Sequence, residues 1–415
     1  MYKFEKMTNE NLNTLTKILL NAYPGIDTTP EAYSARMATV NERPDVTYYT
    51  VHDENDAVVG GYNMWDFDHM NFRGIPIKAG GIGSVCVDLA RKKQGVAKAL
   101  LTEWLNTLPA QGRNFSALYP FAPAFYHKMG FGFGTMGHQM RIKPADLPNA
   151  DDGKTHIRQL TEADAGILAD YYNKKVATTH GLINKAVTEF ETRLKTHQVK
   201  FFAYEAGGQI HGYMAFLFKR GVDSNFLSND ILVNELFFDS PTAFGELMAF
   251  TKSQADQVRY IIINTQDEGL MNIMADPRNQ TENTFLNSYQ EVAKTGQGIM
   301  YRIVDFAGFV KDIADVRFGN LNLVLKLNLQ DSFLPQNNKS WLMQFADGRI
   351  SLAEGKAHDG SLTIDVAELS SLIMGCVTLT TLIKYGKASL VTDTYLYDLH
   401  NAFITPEKPI CTTFF

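Results

Sequence analysis

Residues 84–101, Ser-Val-Cys-Val-Asp-Leu-Ala-Arg-Lys-Lys-Gln-Gly-Val-Ala-Lys-Ala-Leu-Leu, decide how the rest of the chain is read. An apolar, β-branched run from Gly80 to Ala90 has the character of a short strand. It passes through Arg91, Lys92, Lys93, Gln94 and Gly95 into Val96 and Ala97, where apolar residues begin to recur at helical spacing. At a helix start the first N–H groups lack internal partners, and the macrodipole adds partial positive charge. Gly95 lets backbone approach a ligand closely and Ala97 keeps the first turn slim. With Lys92 and Lys93 beside it, the turn suits a pyrophosphate. The spacings of the nucleotide loop GxxxxGK[ST] and of the dinucleotide loop GxGxxG are both absent. On these residues alone, a plain strand-to-helix turn with a solvated basic start accounts for the pattern equally well.

A second motif follows one strand later, at residues 123–134: Pro-Ala-Phe-Tyr-His-Lys-Met-Gly-Phe-Gly-Phe-Gly. Together the two motifs resemble the GNAT superfamily of acetyl-CoA N-acyltransferases. Its glutamine-or-arginine–x–x–glycine–x–glycine-or-alanine loop maps onto Lys92, Lys93, Gln94, Gly95, Val96 and Ala97. Its helix-then-Gly-Phe element maps onto residues 125–131. Lys92 stands where Gln or Arg is usual, with Arg91 adjacent.

The resemblance implies acetyl-CoA as co-substrate, no metal, and direct attack of an amine on the thioester in a ternary complex. It implies that main-chain groups of Val85, Cys86 and Val87 hold the pantetheine arm, one of them donating to the thioester oxygen. The alternative for these residues is an internal strand with every amide paired. The resemblance makes Tyr126 the acid toward the leaving sulfur, since a phenol is a donor with a pKa near that of a thiol. Outside that motif, Tyr126 would be a buried ring with a wet hydroxyl. The Cys86 side chain fits a small buried hydrophobe better than an acyl-accepting nucleophile. His127, on another face of a short helix, is expected at the surface.

Outward from the motifs, residues 8–23 form a capped helix, and a hairpin turns at residues 53–56. A Pro-, Gly- and Asp-rich linker is expected near residues 145–155. The hairpin pattern and the strand-to-helix step then recur at residues 200–218 and 229–255, the mark of a duplicated fold. At the place matching residues 92–97 the copy carries Asp239, Ser240, Pro241, Thr242, Ala243 and Phe244, with no glycine and no base, so it should not bind CoA. Residues 321–329 alternate with period two, and strands outnumber helices after them, which points to an α+β domain.

The expected architecture is α/β (α+β): tandem GNAT-like mixed-sheet domains at 1–149 and 150–298, the second degenerate, then a domain at 299–415. This order resembles the Eis-type (enhanced intracellular survival) family, whose last domain is sterol-carrier-protein-like. The resemblance implies a homo-oligomer, a hexamer, and an amine acceptor that is aminoglycoside-like or another polyamine small molecule. It also implies that the carboxylate of Phe415 accepts the amine proton, although a frayed end is the ordinary fate of a terminus. Asp27, in a Pro-Gly-Ile-Asp-Thr-Thr-Pro loop, is the candidate to bind a cationic amine, its ordinary alternative being a turn or cap role.

The chain has 415 residues, 45% hydrophobic and 20% charged, which sets it apart from disordered sequences and makes several domains the expectation. Cys86, Cys376 and Cys411 are too few and too scattered for a disulfide framework or a Cys-rich metal site. The net charge of -6 argues against nucleic acid, no apolar run is long enough for a membrane span, and no export signal is present. A cytoplasmic enzyme is therefore expected. Two other readings compete: a peptide or protein N-acetyltransferase of the same fold, and a non-catalytic CoA- or lipid-binding protein.

Overall fold

The computed structural model describes residues 2–148, 153–392 and 394–415. The chain forms two units, one of Met1–Gly134, Ile299–Pro409 and Thr413–Phe415, the other of Thr135–Gly298 and Ile410–Thr412. The boundary expected between residues 149 and 150 lies outside the described residues.

The first unit opens with β1 (Lys3–Lys6), α1 (Asn9–Ala22), α2 (Pro30–Asn41), β2 (Val46–His52), β3 (Val58–Phe72) and β4 (Ile75–Val87). Then come α3 (Val96–Thr107), β5 (Phe115–Leu118), α4 (Pro123–His127) and β6 (Gly132–Phe133). A Thr8–Asn11 capping box starts α1, and Thr29 caps α2 ahead of Pro30. β1 to β4 pair antiparallel, and β4 pairs parallel with β5. Val96, Leu100, Leu101, Trp104 and Leu105 bury one face of α3 against a core that includes Ile82, Tyr126 and Phe131.

The second unit contains β7 (Gly137–Ile142), β8 (Ile157–Gln159), α5 (Ala165–Thr178), α6 (Val187–Lys195) and β9 (Val199–Ala206). β10 (Gln209–Val222), β11 (Asn225–Phe238), α7 (Pro241–Lys252) and β12 (Val258–Thr265) follow. β13 (Thr284–Phe285), β14 (Tyr289–Gln290) and β15 (Ala293–Gly296) complete it. Its sheet runs β15-β7-β12-β11-β10-β9-β8, with β11 and β12 parallel as β4 and β5 are in the first unit. The duplication expected from the sequence is thus a repeat of fold. One assignment is corrected: Gly137–Ile142 was expected to end the first domain, yet it pairs with β12 and β15. Met140 and Ile142 are fully buried in the second core, which fixes that choice.

The chain then contributes β16 (Met300–Ile303) to the first sheet, between β5 and β6, and goes on to α8 (Phe306–Asp312). A five-stranded sheet follows from β17 (Leu323–Gln330), β18 (Ser340–Ala346), β19 (Arg349–Leu352), β20 (Gly360–Asp365) and β21 (Ala388–Val391). Its helices are α9 (Val366–Ile373), α10 (Leu379–Lys384) and α11 (Leu396–Phe403). Leu323, Leu325, Leu327 and Leu329 all turn inward along β17, as their period-two spacing requires. This last region is built onto the first sheet. Arg302 of β16, fully buried, donates to the Met129 carbonyl and to the Asp331 carboxylate at 2.6 Å, and Ser371 donates to the Phe133 carbonyl at 2.9 Å. Among the described residues no helix is long and apolar enough to cross a membrane.

Candidate active site

The turn between β4 and α3 has the shape its residues imply. Asp88 accepts the Ala90 N–H at 2.8 Å and starts a single 3₁₀ turn, Leu89–Arg91. Arg91 leaves the turn to pair with Asp53 at 2.7 Å, so the exposed charge beside the helix start is that of Lys92 and Lys93. Gly95 heads α3 at φ +88° with no side-chain cap, leaving the first N–H groups of the helix without a capping group. A Cβ on Gly95 would meet nothing within 4 Å, so the left-handed backbone, not crowding, demands glycine here. Val96 is buried in the core and Ala97 half-buried, so their main chain, not their side chains, faces the turn's mouth. Gln94 is exposed, and its carbonyl accepts from Tyr2 at 3.1 Å.

Ahead of this turn the sheet splits. β4 and β5 pair from Ala79–Phe115 to Ile82–Leu118 and no further. Ser84, at φ +51°, forms a bulge against β3, where Asn63 pairs with Gly83 and Gly61 with Cys86. Val85, Cys86 and Val87 therefore run beyond the end of β5, with pairing to β3 on one side. The Val85 carbonyl accepts from the Tyr23 hydroxyl at 2.8 Å. Cys86 is 1% exposed, its thiol 3.5 Å from the Gly61 carbonyl, and burial pushes that thiol up to about 12. It acts as packing in the core.

The gap opens into a cavity of about 230 Å³ whose wall includes Tyr23, Tyr33, Ser84, Val85, Tyr126 and Phe415. Tyr126 is 2% exposed, held edge-on by Phe121, Phe125 and Phe131, and burial raises its phenol well above the usual range. It therefore stays protonated, a donor at working pH. His127 faces away and pairs with Glu368 at 3.2 Å. Asp27 is exposed in the α1–α2 loop and does not line the cavity, although its neighbour Ile26 does.

Phe415 reaches the floor of this cavity. Its ring packs against Phe67 at 4.8 Å, Tyr119 at 5.3 Å and Trp65 at 6.2 Å. Its main-chain carbonyl carbon lies 2.7 Å from where a Cβ on Gly83 would stand, and a Cβ on Gly81 would meet the ring at 3.0 Å. Asn63 Oδ1 is also 2.7 Å from that Gly83 position. It is buried and has no hydrogen-bond partner among the described residues. Trp65, Phe67, Asn63, Gly81 and Gly83 escaped the sequence reading. The one signal for them was the alternation of large aromatic residues along β3 opposite the glycines of β4.

A family model described as an acetyltransferase (GNAT) domain matches residues 3–134, and a second GNAT-domain model matches residues 181–303. The chain belongs to the GNAT superfamily of N-acetyltransferases. A sterol carrier protein domain model matches residues 313–412, so the arrangement is of the Eis type. An uncharacterized N-acetyltransferase from Streptomyces avermitilis is 21% identical over 374 residues, 86% of each chain. A GCN5-related N-acetyltransferase from Anabaena variabilis has the same fold, with a TM-score of 0.83 at 18% identity. Eis1 from Mycobacterium abscessus has it with 0.75 at 17%, and both structures match over 100% of each chain.

The GNAT fold implies acetyl-CoA as co-substrate, and the first domain fits it: an uncapped helix start, two exposed lysines and a strand edge released by its neighbour. The second domain does not. Ser240 Oγ accepts the Ala243 N–H at 3.1 Å and Pro241 supplies no N–H, so α7 is capped by its own residues. Where the first domain has its gap, the second has a buried charge network. Glu235 accepts from Lys185 at 3.1 Å and from the Tyr213 hydroxyl at 2.5 Å, and pairs with the Arg193 guanidinium at 2.8 Å. These cations hold its carboxyl down at about 2 despite complete burial.

Proposed function

We propose that the first GNAT domain moves the acetyl group of acetyl-CoA to a primary amine by direct attack within a ternary complex. One observation carries this reading: Tyr126, Phe415 and the open edge of β4 line a single cavity. The main chain of Val85, Cys86 and Val87 would hold the pantetheine arm and stabilise charge developing on the thioester oxygen. The N–H groups at the start of α3, with Lys92, Lys93, Gln94 and Gly95, would hold the pyrophosphate. Acetyl-CoA supplies the activated acetyl group. The Phe415 carboxylate and Asn63 Oδ1 converge over Gly83, where both can orient the amine by accepting its N–H groups and the carboxylate can take its proton directly or through a water. Tyr126 O–H donates toward the departing sulfur. Asp27, outside the cavity wall, would act on a cationic acceptor only at longer range. We take the working form to be a cytoplasmic homo-oligomer, as the family resemblance implies.

Tyr126→Phe tests the reading, because it removes one proton and keeps the ring packing. CoA release, followed by thiol detection, should show kcat falling by about 10²- to 10⁴-fold with acetyl-CoA affinity unchanged. Wild-type initial rates at varied acetyl-CoA and amine should give intersecting, not parallel, reciprocal plots. A mutant turning over at the wild-type rate would reduce Tyr126 to packing.

A further inference from the structure

The cavity that carries the proposed reaction is also a statement about its acceptor. Among the described residues of its wall there is no Asp, Glu, Lys or Arg side chain. The polar groups are phenols, the Ser84 hydroxyl and main chain. At the mouth the exposed side chains are apolar: Phe121 is 65% and Ile26 38% exposed. Phe414, 75% exposed, lies stacked on Tyr119 at 5.4 Å. Of the charged side chains nearby, Asp27 is exposed beside Ile26, and the exposed Arg36 acts electrostatically on Tyr33.

An acceptor bearing several ammonium groups needs a carboxylate or a cluster of acceptors for each charge it desolvates. This wall offers one anionic point, the Phe415 carboxylate, and otherwise aromatic rings. Rings accept a single cation over their faces and bury apolar surface, but they cannot satisfy the hydroxyls and ammonium groups of a polycation. Resting on the amine-acetylation reading above, we propose that the preferred acceptor is a monocationic primary amine with an aromatic or apolar body, an arylalkylamine, and not a polyamine or aminoglycoside. The amine head lies over Gly83 between Phe415 and Asn63, and the aromatic body leaves past Tyr119 toward Phe121 and Phe414.

The test compares kcat/KM for 2-phenylethylamine and tryptamine with that for spermidine and kanamycin, using the full-length protein, acetyl-CoA and thiol detection. The arylalkylamines should lead by about tenfold or more, the usual worth of a fitted apolar group. In Phe121→Asp that lead should shrink by about tenfold, because the ring is lost and an anion for a second ammonium is gained. Spermidine or kanamycin leading in the wild type would overturn this acceptor class and leave amine acetylation standing. An unchanged ratio in Phe121→Asp would also overturn it. Release of CoA with none of the four amines, from protein that still binds acetyl-CoA, would overturn the underlying amine reading as well.

Discussion

Gly83→Ala is the smallest change that addresses the proposed proton acceptor. A methyl group there would stand 2.7 Å from the carbonyl carbon of Phe415, 3.0 Å from its oxygen and 2.7 Å from Asn63 Oδ1. Carbon atoms in comfortable contact are about 3.5 Å apart, so the carboxylate must retreat by about 0.8 Å. It cannot do so freely, because the Phe415 ring is held by Phe67, Tyr119 and Trp65. A misplacement of about 1 Å at a reacting centre costs about 10²-fold in rate. Steady-state kinetics should therefore show kcat down by about 10²-fold. Calorimetry should show acetyl-CoA binding nearly unchanged, since the start of α3 is untouched. Thermal unfolding should move by only a few degrees. If Gly83→Ala keeps kcat within twofold while the protein stays folded, the position of Phe415 is irrelevant to turnover and the proposed role for its carboxylate is wrong.

Two further outcomes follow from the two GNAT domains. Gly95→Glu adds about 1–2 kcal/mol of left-handed strain and a negative charge at the helix start. Calorimetric stoichiometry should fall from one acetyl-CoA per chain to none, whereas a wild-type value of two would show that the second domain binds as well. In the second domain, Glu235→Gln strips the buried Lys185 of the nearer of its two anions, leaving only Glu189 at 3.7 Å, and should cost about 3–5 kcal/mol in denaturant unfolding. The Glu235 pKa is depressed on folding, from 4.5 to about 2, so its contribution is complete above pH 4.5 and drains away as pH falls toward 2. The stability gap between wild type and Glu235→Gln should therefore narrow across that window. A gap that is flat down to pH 3 would mean the charge of Glu235 is not what holds the network.

The local chemistry of the first domain was legible because each signal sat within one strand, turn or helix. Gly95 between a β-branched run and an amphipathic run could only be a turn, and Tyr126 came tied to Gly130 and Phe131 within one short motif. The loss of the cradle in the second domain was legible for the same reason, since Ser240 and Pro241 are capping residues wherever they stand. What escaped was partnership across distance. The alternation in Gly137–Ile142 shows that it is a strand with a buried face, but not which sheet receives it. Likewise nothing in Trp65, Phe67 or Gly83 announces that the last residue of the sequence will lie among them. Such contacts depend on the closed fold, and a single sequence carries no local trace of them.

The insertion of β16 between β5 and β6 bears on how this protein is made. Ser116 of β5 and Arg302 of β16 meet although 186 residues separate them. When β5 leaves the ribosome, the sheet that carries the proposed acetyl-transfer site still lacks the strand that joins β5 to β6. The exposed edge of β5 must wait through synthesis of the whole second domain, a hazard for aggregation and a reason for slow folding. The second domain is therefore more than a relic without a cradle. It is the length of chain that brings β16 into existence, and cutting the gene after the first domain would leave a sheet with a gap beside β5.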